Sequence, residues 1–133
     1  MLITRGVSAE LDALKILRPA PPAWGLLIGH RRGPRIFAER IFPAAAGAVL
    51  PPPGELEDLE RRLGGKVIGF FAVRPGTALK KSLLGPYFYG RVLLEVRFSR
   101  GGPVLKAFAV EFDGAFFLAP VPLESGPKGE AHE

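Results

Sequence analysis

The hydrophobic positions of this chain repeat with two different periods, and each period predicts its own kind of element. A helical spacing recurs at residues 8–17, with Ser8 placed to cap the helix and Glu10 and Asp12 in its first turn, and again at residues 55–63. Apolar runs that are typical of strands occupy residues 24–29, 35–42, 66–73, 91–98, 104–112 and 115–121. The run 66–73 is apolar at nearly every position, which indicates a central strand that is buried on both faces.

Turn residues between these runs indicate the order of helices, strands and loops along the chain. Gly33-Pro34, Gly101-Gly102 and Asp113-Gly114 predict hairpins, whereas the proline cluster in residues 43–54 predicts an extended loop. The order is therefore helix, hairpin, helix, central strand, loop and a three-strand meander. We predict an α/β fold, with a mixed sheet of about six strands flanked by two helices.

Length and composition narrow the class of protein. At 133 residues the chain has the length of one domain, which we place at residues 1–125, and the polar residues 126–133 are expected to form a flexible tail. The absence of cysteine excludes disulfides and thiolate metal sites, and His30 and His132 are the only histidines. No apolar run approaches the roughly 20 residues that span a bilayer, and no signal-peptide core is present, so we expect a soluble cytoplasmic protein.

The chain also lacks asparagine and glutamine and is rich in proline and arginine, which is typical of thermophile proteins.

The net charge of +5 and pI near 10.0 would favour phosphate-rich or acidic partners. Two basic pairs, Arg31-Arg32 and Lys80-Lys81, lie on predicted loops and would form an anion-binding patch if the fold brought them together. Isolated pairs of this kind are more often solvated loop charges. A nucleic-acid-associated protein is therefore an alternative function, although no recognised nucleic-acid motif supports it.

One stretch carries a motif that spans several elements. Gly69-Phe70-Phe71 leads into Ala72-Val73-Arg74-Pro75, Ser82 stands seven residues after the proline, and Gly85 stands three residues after the serine. This frame resembles the JAMM (JAB/MPN) family of zinc isopeptidases, in which the same spacing holds His-x-His-Pro, a serine and an aspartate. The resemblance extends roughly from Ser8 to Leu123 and implies an MPN-like (cytidine-deaminase-like) sheet.

The positions that bind zinc in that family have been replaced here. Ala72, Arg74 and Gly85 stand in place of two histidines and the aspartate, and Pro22 stands in place of the glutamate base, three residues before a Gly-Leu-Leu-Ile-Gly strand. None of these residues can donate a side-chain ligand to a cation. The resemblance therefore implies a catalytically inactive domain without metal or cofactor. Because inactive members of the family commonly pair with other proteins, it also implies an interaction or scaffolding module with a protein partner or a second copy.

Several side chains near this motif are candidates for a site. Arg74 would anchor an anion in the old cleft, or else pair with Glu95 or Glu111, and Ser82 would satisfy backbone groups. A small-anion binder or enzyme that reuses the cleft requires an open pocket lined by Arg74 and Ser82, and Leu83, Leu84 or Phe88 would close it. The aromatic residues that follow would anchor an interface or cover the core, and they are Tyr87, Phe88 and Tyr89.

Overall fold

The computed structural model describes residues 1–17, 23–46, 53–64 and 66–125. Its strands are β1 (Leu2–Ile3), β2 (Ala23–Arg32), β3 (Arg35–Ala46), β4 (Val67–Val73), β5 (Val92–Ser99), β6 (Gly102–Phe112), β7 (Phe116–Val121) and β8 (Glu124–Ser125). Its helices are α1 (Arg5–Leu17), α2 (Pro53–Arg62) and α3 (Thr77–Ser82), and a single 3₁₀ turn occupies Pro86–Phe88. The fold is mixed α/β, as the sequence predicts.

The strands form one mixed sheet in the order β7-β6-β5-β4-β2-β3-β1-β8. The pairs β4/β5, β1/β3 and β1/β8 are parallel, and the other neighbours are antiparallel. The two edge strands are consecutive in the chain and are joined by Pro122 and Leu123 alone. Because so short a link cannot cross a flat sheet of this width, the sheet curls until its edges come near each other.

The concave side of the curl holds α1. This helix packs against β3 and β6, and its Val7 and Leu11 are fully buried in a cluster with Phe71 and Val73 of β4. The opposite face of β4 belongs to a second cluster, which takes in Leu56 of α2 and Leu79 of α3. Every residue of β4 is buried, so the prediction of a central strand covered on both faces is confirmed.

Two glycines of the family-like motif are required by strand packing. A Cβ at Gly69 would collide with the carbonyl oxygen of Val92 on the parallel neighbour β5. A Cβ at Gly25 would collide with the carbonyl oxygen of Phe42 and with the ring of Phe71. Glycine at these positions therefore permits the close approach of β4 to β5 and of β2 to β3.

The prediction for the first helix was wrong about its start. The helix begins at Arg5 because Thr4 takes the capping role: its Oγ1 accepts a hydrogen bond from the Val7 amide at 3.4 Å, and Ser8 lies inside the helix. Glu10 and Asp12 consequently lie beyond the first turn. Glu10 instead ties α1 to the sheet, since its Oε1 accepts a hydrogen bond from the Ile41 amide at 3.0 Å.

The number of strands and the extent of the loops also need correction. The described residues contain eight strands instead of about six, because β1 and β8 are two residues long and too short to show a period. The first four residues of the predicted loop at 43–54 continue β3, and residues 47–52 lie outside the described residues.

The loop expected before β5 contains α3, whose Leu79 is fully buried together with Leu83 four residues later. The predicted tail at 126–133 also lies outside the described residues.

Within the described ranges, no helix is long and apolar enough to cross a membrane.

Candidate functional site

Ala72 occupies the first of the metal-ligand positions of the family-like motif. It lies near the end of β4, between Trp24 of β2 and Glu95 of β5, and it is fully buried. Its neighbours in the buried cluster include Leu83 and Phe88. A methyl group packed among apolar side chains therefore takes the place of a ligand, and Pro22, the position of the family's base, lies outside the described residues.

Arg74 and Gly85 occupy the other two ligand positions, and neither has a side-chain atom that can bind a metal ion. Arg74 is exposed and has a positive φ of 46°, while its backbone amide donates to the Val96 carbonyl at 2.9 Å. Across residues 1–17, 23–46, 53–64 and 66–125 no carboxylate pairs with its guanidinium, so the predicted pairing with Glu95 or Glu111 is wrong. Gly85 is extended, and a Cβ there would meet no atom within 4 Å.

Two of the three residues expected to close a cleft at Arg74 and Ser82 are packed in the core. The Ser82 hydroxyl donates to the carbonyl of Leu79 at 2.6 Å, which is the backbone role that the sequence predicts. Leu83 is fully buried and Phe88 is 5% exposed, while Leu84 is exposed. Neither Arg74 nor Ser82 lines the two cavities described below. The described residues therefore give no support to a binder that reuses this cleft.

A buried carboxylate beside Ala72 is the most strongly perturbed acid near the motif. Glu95 is only 3% exposed, and Lys80 Nζ lies 2.9 Å from its Oε2 while Arg97 Nε lies 3.2 Å from its Oε1. Burial raises the pKa of Glu95, but Lys80 and then Arg97 lower it by more, so the net shift is downward. The carboxylate stays ionised and paired, which makes it a poor proton acceptor.

Because Lys80 pairs with Glu95, the two lysines of the predicted basic pair Lys80-Lys81 have different surroundings. The two lysines lie on α3 instead of a loop, and Lys80 turns toward Glu95 and over the ring of Phe108, 5.8 Å from its centroid. Lys81 remains exposed. The pair therefore does not act as one patch.

Tyr87 connects the 3₁₀ turn to α2 through a hydrogen bond. Its hydroxyl donates to Glu60 Oε2, Arg91 Nη2 lies 2.8 Å from Glu60 Oε1, and the Arg91 guanidinium lies 5.4 Å from the tyrosine ring centroid. Burial, together with the bond to the Glu60 carboxylate, raises the pKa of Tyr87 to about 12. Of the three neighbouring aromatics, Phe88 packs edge-on against Phe70 and Tyr89 is 58% exposed, so the predicted role of covering the core is confirmed for Phe88.

A groove of about 610 Å³ lies at the other end of β4, away from Ala72. Three separate segments line it, and their residues are Gly29, His30, Arg31, Lys66, Val67, Ile68, Tyr89, Gly90 and Arg91. Arg31 Nη2 donates to the carbonyl of Gly90, and His30 Nδ1 lies 2.8 Å from Glu39 Oε1. Arg32 points elsewhere, over the ring of Phe37 at 5.9 Å, so the predicted pair Arg31-Arg32 contributes one member to the groove.

Sequence reasoning found Arg31 and Tyr89 and missed Lys66 and Arg91. A glycine in two of the three segments is the only local signal of the groove.

A second, mainly apolar cavity of about 500 Å³ lies between α1, β6 and β8.

Large apolar side chains are exposed on the β6–β7 hairpin. Phe112 is 55% exposed, Val104 47% and Phe117 44%, and the rings of Phe112 and Phe116 are 4.8 Å apart. β7 is an edge strand, since it pairs with β6 alone. Phe112 and Phe116 lie opposite each other on one face of the sheet, and Phe117, opposite Glu111, lies on the other face. The edge of the hairpin therefore combines unpaired backbone groups with exposed aromatic rings on both faces.

Among the residues that the structure describes, no group of three or more His, Cys, Asp or Glu side chains is arranged to hold a metal ion.

The comparisons with known proteins bear on the fold alone. No family model matches the chain, and no curated protein matches it. Among solved structures, the chain is similar to the solution structure of protein DSY2949 from Desulfitobacterium hafniense. The likeness has a TM-score of 0.60 and 21% sequence identity, and it covers 100% of this chain and 99% of that chain. At this level of identity, the match supports the mixed α/β architecture and transfers no activity.

Proposed function

We propose that the chain is a catalytically inactive MPN/JAB-like domain that works as a protein-interaction module and pairs with a second copy of itself. The proposal is supported by two glycine-containing strands that match the motif and by the replacement of the metal-ligand residues within it. The Gly-Leu-Leu-Ile-Gly strand and the Gly-Phe-Phe strand are direct neighbours, with Gly25 opposite Phe71. At the ligand positions of the motif, Ala72 is packed in the core and Gly85 carries no side chain.

The exposed aromatic surface of the β6–β7 hairpin carries the interaction part of the proposal. An edge strand can pair with its own copy about a twofold axis, which buries the same side chains on both partners. β7 contains no charged residue, so two copies can approach despite a net charge of +5. Pro120 has no amide hydrogen, which limits such pairing to Phe116 through Ala119.

The oligomeric state tests this proposal directly. We expect light scattering after size-exclusion chromatography to give twice the chain mass at micromolar concentration. Replacing Phe112 and Phe117 by serine should shift the protein to monomer. Leu84→Ser is the matched control, since Leu84 is also exposed, at 38%, but lies outside the hairpin.

A monomer at all concentrations, or dissociation by Leu84→Ser as well, would contradict the assignment of this surface. The inactive part of the proposal has its own test, which is metal analysis of the purified chain. One equivalent of tightly bound zinc, together with isopeptidase activity that a chelator abolishes, would overturn it.

A further inference from the structure

The groove at the start of β4 has the charge and size of a small-molecule site. We propose that it binds a phosphate monoester that carries a planar group, the chemical class of the mononucleotides. The groove and the β6–β7 hairpin are formed by different residues, so this inference does not depend on self-association.

The charges of the groove favour a dianion. His30 is paired with Glu39, and Arg91 is paired with Glu60, so these two side chains are already matched by carboxylates. Arg31 and Lys66 have no carboxylate partner in the described ranges. Two unneutralised cations facing one groove match the charge of a phosphate monoester near neutral pH.

The donors are also partly fixed in position. Arg31 is held by its Nη2 bond to the Gly90 carbonyl, which leaves the rest of the guanidinium fork to meet phosphate oxygens. Lys66 is exposed and supplies a second point charge from the start of β4. Restricting Arg31 in advance lowers the entropy lost when the anion binds.

The shape of the groove suits a ligand with a flat group beside the phosphate. A volume of about 610 Å³ falls in the range of roughly 300–1,000 Å³ that is typical of small-molecule sites. Gly29 and Gly90 place no side chain in it. Tyr89 lies at the groove and is 58% exposed, which leaves its ring free for stacking against a planar group.

Calorimetric titration of the full chain at low salt with AMP, ribose 5-phosphate and adenosine tests the proposal. AMP should bind, and Lys66→Ala should weaken it about 10-fold, the effect of losing one charge-assisted hydrogen bond. Lys81→Ala is the matched control, since this lysine is also exposed but lies on α3, and it should leave the affinity unchanged. Tyr89→Ala should weaken AMP and leave ribose 5-phosphate unaffected.

Each contrary result would overturn a defined part of the proposal. No detectable heat with millimolar AMP would remove the site, and equal losses in the Lys66 and Lys81 variants would reduce the effect to overall charge. Adenosine binding as tightly as AMP would exclude phosphate recognition. Binding of a single-stranded oligonucleotide, with none of AMP, would assign the basic residues to nucleic acid instead of a small ligand.

Discussion

The ion pair between Lys80 and the buried Glu95 gives a stability prediction with a defined dependence on pH. Replacing Lys80 by methionine keeps the aliphatic stem against Phe108 and removes the charge that lies 2.9 Å from the carboxylate. Breaking a buried ion pair typically costs about 3–5 kcal/mol. Because Arg97 remains beside Glu95 and the Lys80 side chain is 34% exposed, we expect a smaller loss of about 2 kcal/mol in the free energy of unfolding at pH 7.

The sign of the pH dependence follows from the lowered pKa of Glu95. A carboxyl with a lowered pKa in the folded state stabilises the protein above its unfolded pKa, and this contribution is lost as pH falls through the folded value. Without Lys80, burial opposes ionisation with less compensation, and protonation relieves the cost. The destabilisation by Lys80→Met should therefore be smaller at pH 3.5 than at pH 7, and it should vanish only below the lowered pKa of Glu95.

Urea denaturation followed by circular dichroism at both pH values measures these differences. Lys81→Met is the matched control on the same helix and should stay within about 0.5 kcal/mol of the unmodified chain. Glu95→Gln should cost about 1 kcal/mol, because the exposed end of Lys80 can turn to water. Equal losses in the two lysine variants, or a Lys80→Met effect that does not change with pH, would refute the reasoning.

Two further predictions concern other parts of the fold. Tyr87→Phe should remove the tyrosine ionisation near pH 12 from an absorbance titration. It should also flatten the fall in stability as pH rises from 10 to 12, since a raised pKa in the folded state gives stability that is lost on ionisation. If the ionisation lost in this variant lay near pH 10 instead, the result would contradict the bond to Glu60. Gly69→Ala should cost at least about 3 kcal/mol in urea unfolding, because the new Cβ collides with the Val92 carbonyl, whereas Gly85→Ala should be nearly neutral. Similar stabilities of the two alanine variants would show that β4 and β5 do not require glycine at their contact.

The sequence predicts best those features whose cause is local. The all-apolar run at residues 66–73 identifies β4 because a strand covered on both faces needs apolar side chains at every position. Gly33 marks the β2–β3 turn because its positive φ of 57° favours glycine. The start of α1 was misplaced because Thr4 and Ser8 are both plausible caps, and the choice depends on the tertiary position of the helix.

Features made by distant segments were not accessible from local patterns. In the sequence, Glu95 is one polar residue in an apolar strand. Its pairing with Lys80 cannot be predicted without knowing that α3 lies next to β5. The groove similarly needs Arg31, Lys66 and Tyr89 from three segments, none of which carries a motif. Pairing of the two-residue strands β1 and β8 depends on the curl of the whole sheet.

This closure between β1 and β8 sets the order in which the fold can be completed. The Met1 ammonium donates to the Pro122 carbonyl at 2.7 Å, a contact between residues 121 apart, and the Glu124 amide donates back to the Met1 carbonyl. During synthesis, β1 can pair with β3 early, but its other side stays open until β8 has left the ribosome. Because contacts of such long range are slow to form, we expect the two ends of the described chain to join late in folding.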